Sequence, residues 1–229
     1  MDAKTKAAEI WYGYGRWTAP FWFVGMEPGG TDDHASYESW LRLGGGELID
    51  CRAHHLDSNE HAPTVVTEWH RDHEPPTQPT WRKLIQLLLA YEGKPTDMDA
   101  VREYQRAPWG SLDGETALIE LSSLHAPSLA AEVEGRKSHR KDRIALIKRR
   151  LAEYQPKFAV FYGAGYRDEY EQIAGKFDAN GFVWSDATLC VLVRHPVGVG
   201  APGEDFWIDL GRQVRAAVEH GPKVALTGA

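Results

Sequence analysis

Phe21-Trp-Phe-Val-Gly-Met-Glu-Pro-Gly-Gly30 is the stretch on which the reading of this chain turns. Four large apolar residues in a row suit a strand buried on both faces, as in a parallel sheet. Glycine and proline then end the strand and bring backbone close to whatever binds there, with one carboxylate, Glu27, set inside the loop. In open α/β sheets the loops beyond the strands' carboxyl ends are where ligands bind.

Further along the chain the same grammar recurs. Ala117-Leu-Ile-Glu-Leu121 runs into Ser122-Ser-Leu-His-Ala-Pro127, Phe158-Ala-Val-Phe-Tyr-Gly163 ends in Gly-Ala-Gly, and Leu189-Cys-Val-Leu-Val193 runs into Arg194-His-Pro-Val-Gly-Val-Gly200. Helical spacing lies between these strands. Tyr37, Trp40, Leu41 and Leu43 share a face before Gly44-Gly-Gly46, and Trp81 to Tyr91 is apolar around much of its surface. Helices are also expected at Asp97–Gln105, Ser138–Tyr154, Arg167–Phe177 and Asp205–Glu219. Residues 5–18, with Trp11, Tyr12, Tyr14 and Trp17, read as an arm packed under the first strand. The segment 47–78 reads as a polar, histidine-rich insert in which Val65, Val66 and Trp69 could form a short strand or edge. From about residue 220 the chain reads as a loose tail. Strands alternating with helices predict one α/β domain spanning 1–229: a three-layer α/β/α sandwich around a mostly parallel four-stranded central sheet. Right-handed crossovers place every strand's C-terminal loop along one edge.

The composition narrows the function classes. With 229 residues, 42% hydrophobic and 26% charged, the chain has the makeup of an ordinary globular protein. Its net charge of −7 is opposite in sign to the usual footprint of a nucleic-acid binder, so any such role needs a local basic patch. Arg136, Lys137, Arg140, Lys141, Arg143, Lys148, Arg149 and Arg150 on the expected helix 136–150 supply one, and a solvated helix face is the other reading of it. Nine tryptophans suggest either ring stacking on a ligand or aromatic core. Two cysteines, Cys51 and Cys190, are too few for a disulfide framework or a Cys-ligated iron–sulfur cluster, which fits the cytoplasm. No apolar run is long enough to span a membrane, and no apolar stretch follows Met1–Ala8 as a targeting signal would require, so no membrane partner is expected.

The expected edge gathers Glu27, the Glu120–His125 segment, Tyr162, Arg194 and His195, the parts from which a site is built. Gly25-Met-Glu-Pro-Gly29 after the first strand and His195-Pro-Val-Gly198 after the last resemble, in order and spacing, the two signature motifs of the uracil-DNA glycosylase superfamily. The likeness spans roughly residues 20–218. It implies that fold, and an enzyme that hydrolyses the N-glycosidic bond of a damaged or deaminated base in DNA during base excision repair. It also implies single- or double-stranded DNA as partner and no cofactor. Carried onto this sequence, the resemblance makes Glu27 the residue that orients the attacking water and balances charge on the sugar. It makes His195 the donor to the departing base, where negative charge develops. Gly25, Met26, Pro28 and Gly29 then line the water loop. Arg194, Pro196, Val197 and Gly198 belong to the segment that presses on the strand beside a flipped nucleotide. Tyr37, with Trp22, Phe23 and Trp40, is a candidate for stacking, core packing being the stronger reading for Trp22 and Phe23.

At one position the chain departs from that pattern. Uracil-specific members end the second strand with an asparagine that reads the base, and here Glu120 stands there, with Ser122 the alternative occupant. An ionised carboxylate only accepts hydrogen bonds, so Glu120 must be protonated or face an amino group, and uracil is not the expected base. Two other functions stay open: an inactive nucleic-acid-binding or interaction module on the same fold, and a metal-dependent hydrolase built on Cys51, His54, His55, His61, His70 and His73. The spacing of those residues fits no standard zinc pattern, and adjacent His54 and His55 point apart in regular structure, so no metal is expected.

Overall fold

The structure, a computed structural model, describes residues 2–26, 28, 34–61, 65–125 and 137–222, with backbone alone at 61, 65 and 66. In chain order the elements are α1 (Ala3–Ile10), β1 (Gly13–Tyr14), β2 (Phe21–Gly25), α2 (His34–Arg42), β3 (Leu48–Ile49) and α3 (Cys51–His61). A 3-10 helix (Val65–His70) leads to α4 (Pro79–Glu92), α5 (Met98–Arg106), β4 (Thr116–Glu120), α6 (Arg140–Tyr154) and β5 (Phe158–Tyr162). A 3-10 turn (Ala164–Tyr166), α7 (Arg167–Ala174), β6 (Phe182–Ser185), β7 (Thr188–Val193) and α8 (Glu204–His220) complete the chain.

The α/β class holds, but the sheet is larger than expected. Seven strands lie in the order β3-β1-β4-β2-β5-β7-β6, and the sheet is mixed. Its centre, β4-β2-β5-β7, consists of the four strands legible in the sequence, all parallel. The additions are short or half-buried: β1 is antiparallel to β4 and parallel to β3, and β6 is antiparallel to β7. The aromatic arm therefore enters the sheet beyond β4 instead of passing under β2. The expected strand at 65–69 is the 3-10 helix.

Alternation along β2 explains the layers, because successive side chains leave opposite faces of a strand. Trp22 and Val24 join Ile144, Ile147 and Leu151 of α6 and Tyr170 and Ile173 of α7 in one core. Phe21 and Phe23 join Leu84, Leu87 and Leu88 of α4 and Trp207, Leu210 and Val214 of α8 in the other. Helices thus cover both faces. On the second face α4 and α8 approach so closely that a Cβ on Gly211 would lie 2.2 Å from the Leu87 carbonyl oxygen. A third, smaller cluster seats Ala3 and Ala7 of α1 and Tyr37 and Trp40 of α2 around Trp11.

Five of the nine tryptophans, Trp11, Trp22, Trp40, Trp109 and Trp207, are fully buried, and none is exposed. The aromatic excess is chiefly core. Among the described residues no helix is long and apolar enough to cross a membrane.

Candidate functional site

Parallel pairing brings the ends of β2, β4 and β5 side by side. Gly25 is in register with Glu120 across β2 and β4, and Tyr162 with Val193 across β5 and β7. The alignment continues past the strands, where Leu121 N–H donates to the Gly25 carbonyl at 3.0 Å and Ser122 N–H to that of Met26 at 2.8 Å. At this edge the Tyr162 hydroxyl donates to Glu120 Oε1 at 3.0 Å. The two side chains meet directly over Gly25. A Cβ there would lie 2.4 Å from both Glu120 Oε2 and the Tyr162 hydroxyl, so only glycine leaves room for the clasp. Burial, and then the Glu120 charge, pushes the Tyr162 phenol well above its ordinary pKa, so it acts as a hydrogen-bond donor.

His195 follows the next strand end, its ring 5.7 Å from that of Tyr162. Its Nδ1 faces both the Val197 carbonyl, at 2.9 Å, and the Val197 N–H, at 3.2 Å. The shorter contact has Nδ1 donate to the Val197 carbonyl; in the other tautomer the Val197 N–H donates to Nδ1 and the ring proton sits on Nε2. The loop is held from the side by Lys83 of α4, whose Nζ donates to the carbonyls of Pro196 at 2.6 Å and Pro202 at 2.8 Å. Pro196 is buried, Val197 half-buried, and Arg194 and Gly198 exposed; Val199 stands fully exposed at the tip. Beside this loop a groove of about 790 Å³, lined by Leu192, Arg194, Gly200, Pro202, Phe206 and Gln213 among others, shares Arg194 and Gly200 with it.

Glu27 and Gly29 lie outside the described residues. Met26 is buried and Pro28 half-buried. Ser122, also buried, accepts from Leu124 N–H at 3.2 Å and so shapes the turn after β4. Tyr37 and Trp40, read as stacking candidates, are packed in the α1–α2 core instead, and the Tyr37 hydroxyl accepts from His125 N–H at 3.4 Å. Gly25, Glu120, Tyr162 and His195 come together; Tyr37 does not present a ring face to solvent.

The basic helix is smaller than expected. Arg143 is buried, donating to the carbonyls of Trp11 and Glu120, each at 2.8 Å, and of Ala8 at 3.3 Å, with its guanidinium 4.0 Å from the centre of the Tyr12 ring. Desolvation lowers its pKa to about 10. Arg140 pairs with Glu169, Arg150 pairs with Glu47 and Glu153, and Arg136 lies outside the described residues. Lys137, Lys141, Lys148 and Arg149 remain exposed. The signal for Arg143 was in the spacing: it stands four residues before Ile147 and eight before Leu151, on the apolar face. Lys83 carried a fainter one, a cation inside a helix otherwise rich in apolar residues.

The histidine-rich segment holds a second cluster. Cys51 Sγ, one nitrogen of His55 and one of His70 lie within 4.8 Å of one another, and all three residues are buried. Burial pushes the Cys51 thiol well above its ordinary pKa and holds His55 well below the usual histidine range, with His70 lowered for the same first reason. His54 instead bridges Ser36 and Tyr14, His73 is exposed, and the His61 side chain lies outside the description.

Compared with models of known protein families and with curated proteins, the sequence matches none.

Proposed function

We propose that this chain hydrolyses the N-glycosidic bond of a damaged or deaminated base in DNA. The observation that carries the proposal is the clasp of Glu120 and Tyr162 over Gly25, at the ends of adjacent parallel strands, with His195 on the next one. In this reading a base extruded from the strand enters against the clasp. Glu120, oriented by the Tyr162 hydroxyl, accepts from an amino or ring N–H group of that base. His195, with its proton on Nε2, donates to the base as the glycosidic bond breaks and negative charge develops. Glu27, whose place is known from the sequence alone, orients the water and balances the oxocarbenium-like sugar. The exposed Val199 at the tip of the last loop is the apolar wedge that fills the gap left by the extruded nucleotide. Exposed Lys137, just before α6, and Lys141, in its first turn, precede Arg143, which reaches the Glu120 carbonyl at this same edge, where phosphates would pass.

The test is incubation with single- and double-stranded oligonucleotides carrying uracil, hypoxanthine, xanthine or an alkylated base, scoring abasic sites by alkaline cleavage. We expect release of a base that offers Glu120 a donor, weak or no release of uracil, and loss of release in Glu27→Gln with folding intact. No release from any substrate, with no DNA binding at low salt, would refute the proposal. A second reading, a binding module on this fold without the chemistry, is favoured by the net charge of −7 and the thinned basic face of α6. A folded wild type that releases no base and binds no DNA at low salt would support that reading as a protein-interaction module.

A further inference from the structure

We propose that Cys51, His55 and His70 bind one Zn²⁺ ion, with a water completing its four-coordinate shell, and that the ion fastens the elements that hold it. The site stands on elements other than the Gly25–Glu120 clasp and does not depend on the glycosylase reading. Cys51 and His55 are four residues apart in the first turns of α3, so they share a helix face, and His70 closes the 3-10 helix that returns beside them. Cys51 Sγ is 3.9 Å from His55 Nδ1, and His55 Nδ1 is 2.8 Å from His70 Nε2.

The hydrogen bonds around these atoms turn the right nitrogens inward. At one end, His54 Nε2 faces the Ser36 carbonyl at 2.9 Å, and at the other His70 Nδ1 faces the Arg106 carbonyl at 3.1 Å. Carbonyls only accept, so both nitrogens carry protons, and His70 Nε2 is left as a lone pair. Between them the Tyr14 hydroxyl lies 2.9 Å from His54 Nδ1 and 3.4 Å from His55 Nε2. Ser36, His54, Tyr14, His55, His70 and Arg106 thus form a chain of five contacts. When Tyr14 donates to His54 and accepts from His55, His55 Nδ1 and His70 Nε2 are two lone pairs facing each other 2.8 Å apart beside the Cys51 thiol, and a cation at that point serves all three.

The donor set selects the ion. Thiolate with imidazole suits Zn²⁺, which takes nitrogen at about 2.0–2.1 Å and sulfur at about 2.3 Å. On a tetrahedral ion the His55 and His70 nitrogens would open from 2.8 Å to roughly 3.3 Å, a small rotation of two rings. The ion replaces the Cys51 thiol proton, which leaves to solvent. Tyr14 and the Arg106 carbonyl are then the partners that fix each ring's tautomer, as metal-bound histidines require. Trp81 stacks on His55 at 5.6 Å with the rings 10° apart, and Trp69 packs edge-on against it at 5.7 Å. Held there, the ion fastens α3, whose sequence CRAHHLDSNEH offers little apolar surface, to the 3-10 helix and, through the Arg106 carbonyl, to the end of α5.

Full-length chain purified without chelators should carry one zinc per molecule by inductively coupled plasma mass spectrometry. Replacement by Co²⁺ should produce a thiolate-to-cobalt charge-transfer band that Cys51→Ser removes and Cys190→Ser keeps. Tyr14→Phe should leave the fold intact by circular dichroism and weaken zinc about 10–100-fold in competition with a chromophoric chelator. Should Cys51→Ser fail to fold, wild-type stoichiometry and the cobalt spectrum decide the matter. A folded wild-type chain that holds no stoichiometric metal and takes up none when Zn²⁺ is added would overturn the proposal. So would zinc retained at wild-type affinity by both Cys51→Ser and His70→Gln.

Discussion

Replacing Arg143 with methionine removes a buried cation that hydrogen-bonds to no carboxylate side chain among the described residues. The guanidinium makes two contacts of 2.8 Å and one of 3.3 Å, all to main-chain carbonyls: Ala8 and Trp11 at the end of α1 and Glu120 at the end of β4. Hydrogen bonds from a charged donor are worth about 1.5–3 kcal/mol each, so the three together contribute roughly 4–9 kcal/mol gross. Against this stands the cost of taking the cation out of water. Its pKa falls to about 10, mainly through desolvation. The ordinary arginine value is about 12.5 or above, and at about 1.36 kcal/mol for each tenfold change the cost is roughly 3 kcal/mol. The difference leaves Arg143 stabilising by about 1–6 kcal/mol, since methionine regains the desolvation but strands the three carbonyls. The expected result is a loss of about 3 kcal/mol in urea unfolding with an unchanged slope, and a Tm lower by roughly 6–12 °C for a chain of this size. Arg143→Lys should recover only part of it, because one ammonium cannot span three acceptors set in a fork. An Arg143→Met protein within about 0.5 kcal/mol of wild type, the range of an ordinary surface change, would refute this reckoning.

Gly25→Ala places a methyl group 2.4 Å from the Glu120 carboxylate and the Tyr162 hydroxyl, so the clasp has to open. We expect a loss of about 1–3 kcal/mol from overpacking and, on the proposed function, loss of base release; an unchanged thermal melt would contradict the geometry. Lys83→Met deletes two charge-assisted hydrogen bonds to the loop after His195 and should speed tryptic cleavage at Arg194, whereas an unaltered digestion rate would mean that the loop is held by other contacts. Val199→Ala should leave stability within about 0.5 kcal/mol, since the side chain is fully exposed, yet lower release from duplex more than from single-stranded DNA. Equal effects on the two substrates would remove Val199 from the role of wedge.

The four parallel strands were legible because each is an unbroken apolar run followed by glycine, proline or a polar turn, a pattern that buried parallel strands produce whatever their neighbours. The helices α2 and α4 to α8 were legible from their period, with ends shifted by up to about three residues, whereas α1 and α3, with little apolar period, were not. The flanking strands were not. Gly13–Tyr14 and Leu48–Ile49 have two residues each, too few for any alternation, and their pairing depends on the exposed edge of β4, far away in sequence. Segment 47–78 misled for a related reason: its histidines read as solvent-loving, whereas His54, His55 and His70 are buried because each finds a hydrogen-bond partner on a different element.

Read along the chain, the residues were enough for the α/β class of fold and for placing Gly25, Glu120 and His195 at the ends of neighbouring strands. Local periodicity and strand-breaking residues carry that much, since they act over a few neighbours along the chain. The partnerships came from packing. Tyr162 over Gly25, Lys83 bonded to the last loop, Arg143 turned from a surface cation into a buried one, and Cys51 brought to His55 and His70 all join residues through space. Hydrogen bonding and burial depend on which groups the packing brings within about 3 Å, and no spacing along one chain specifies that distance.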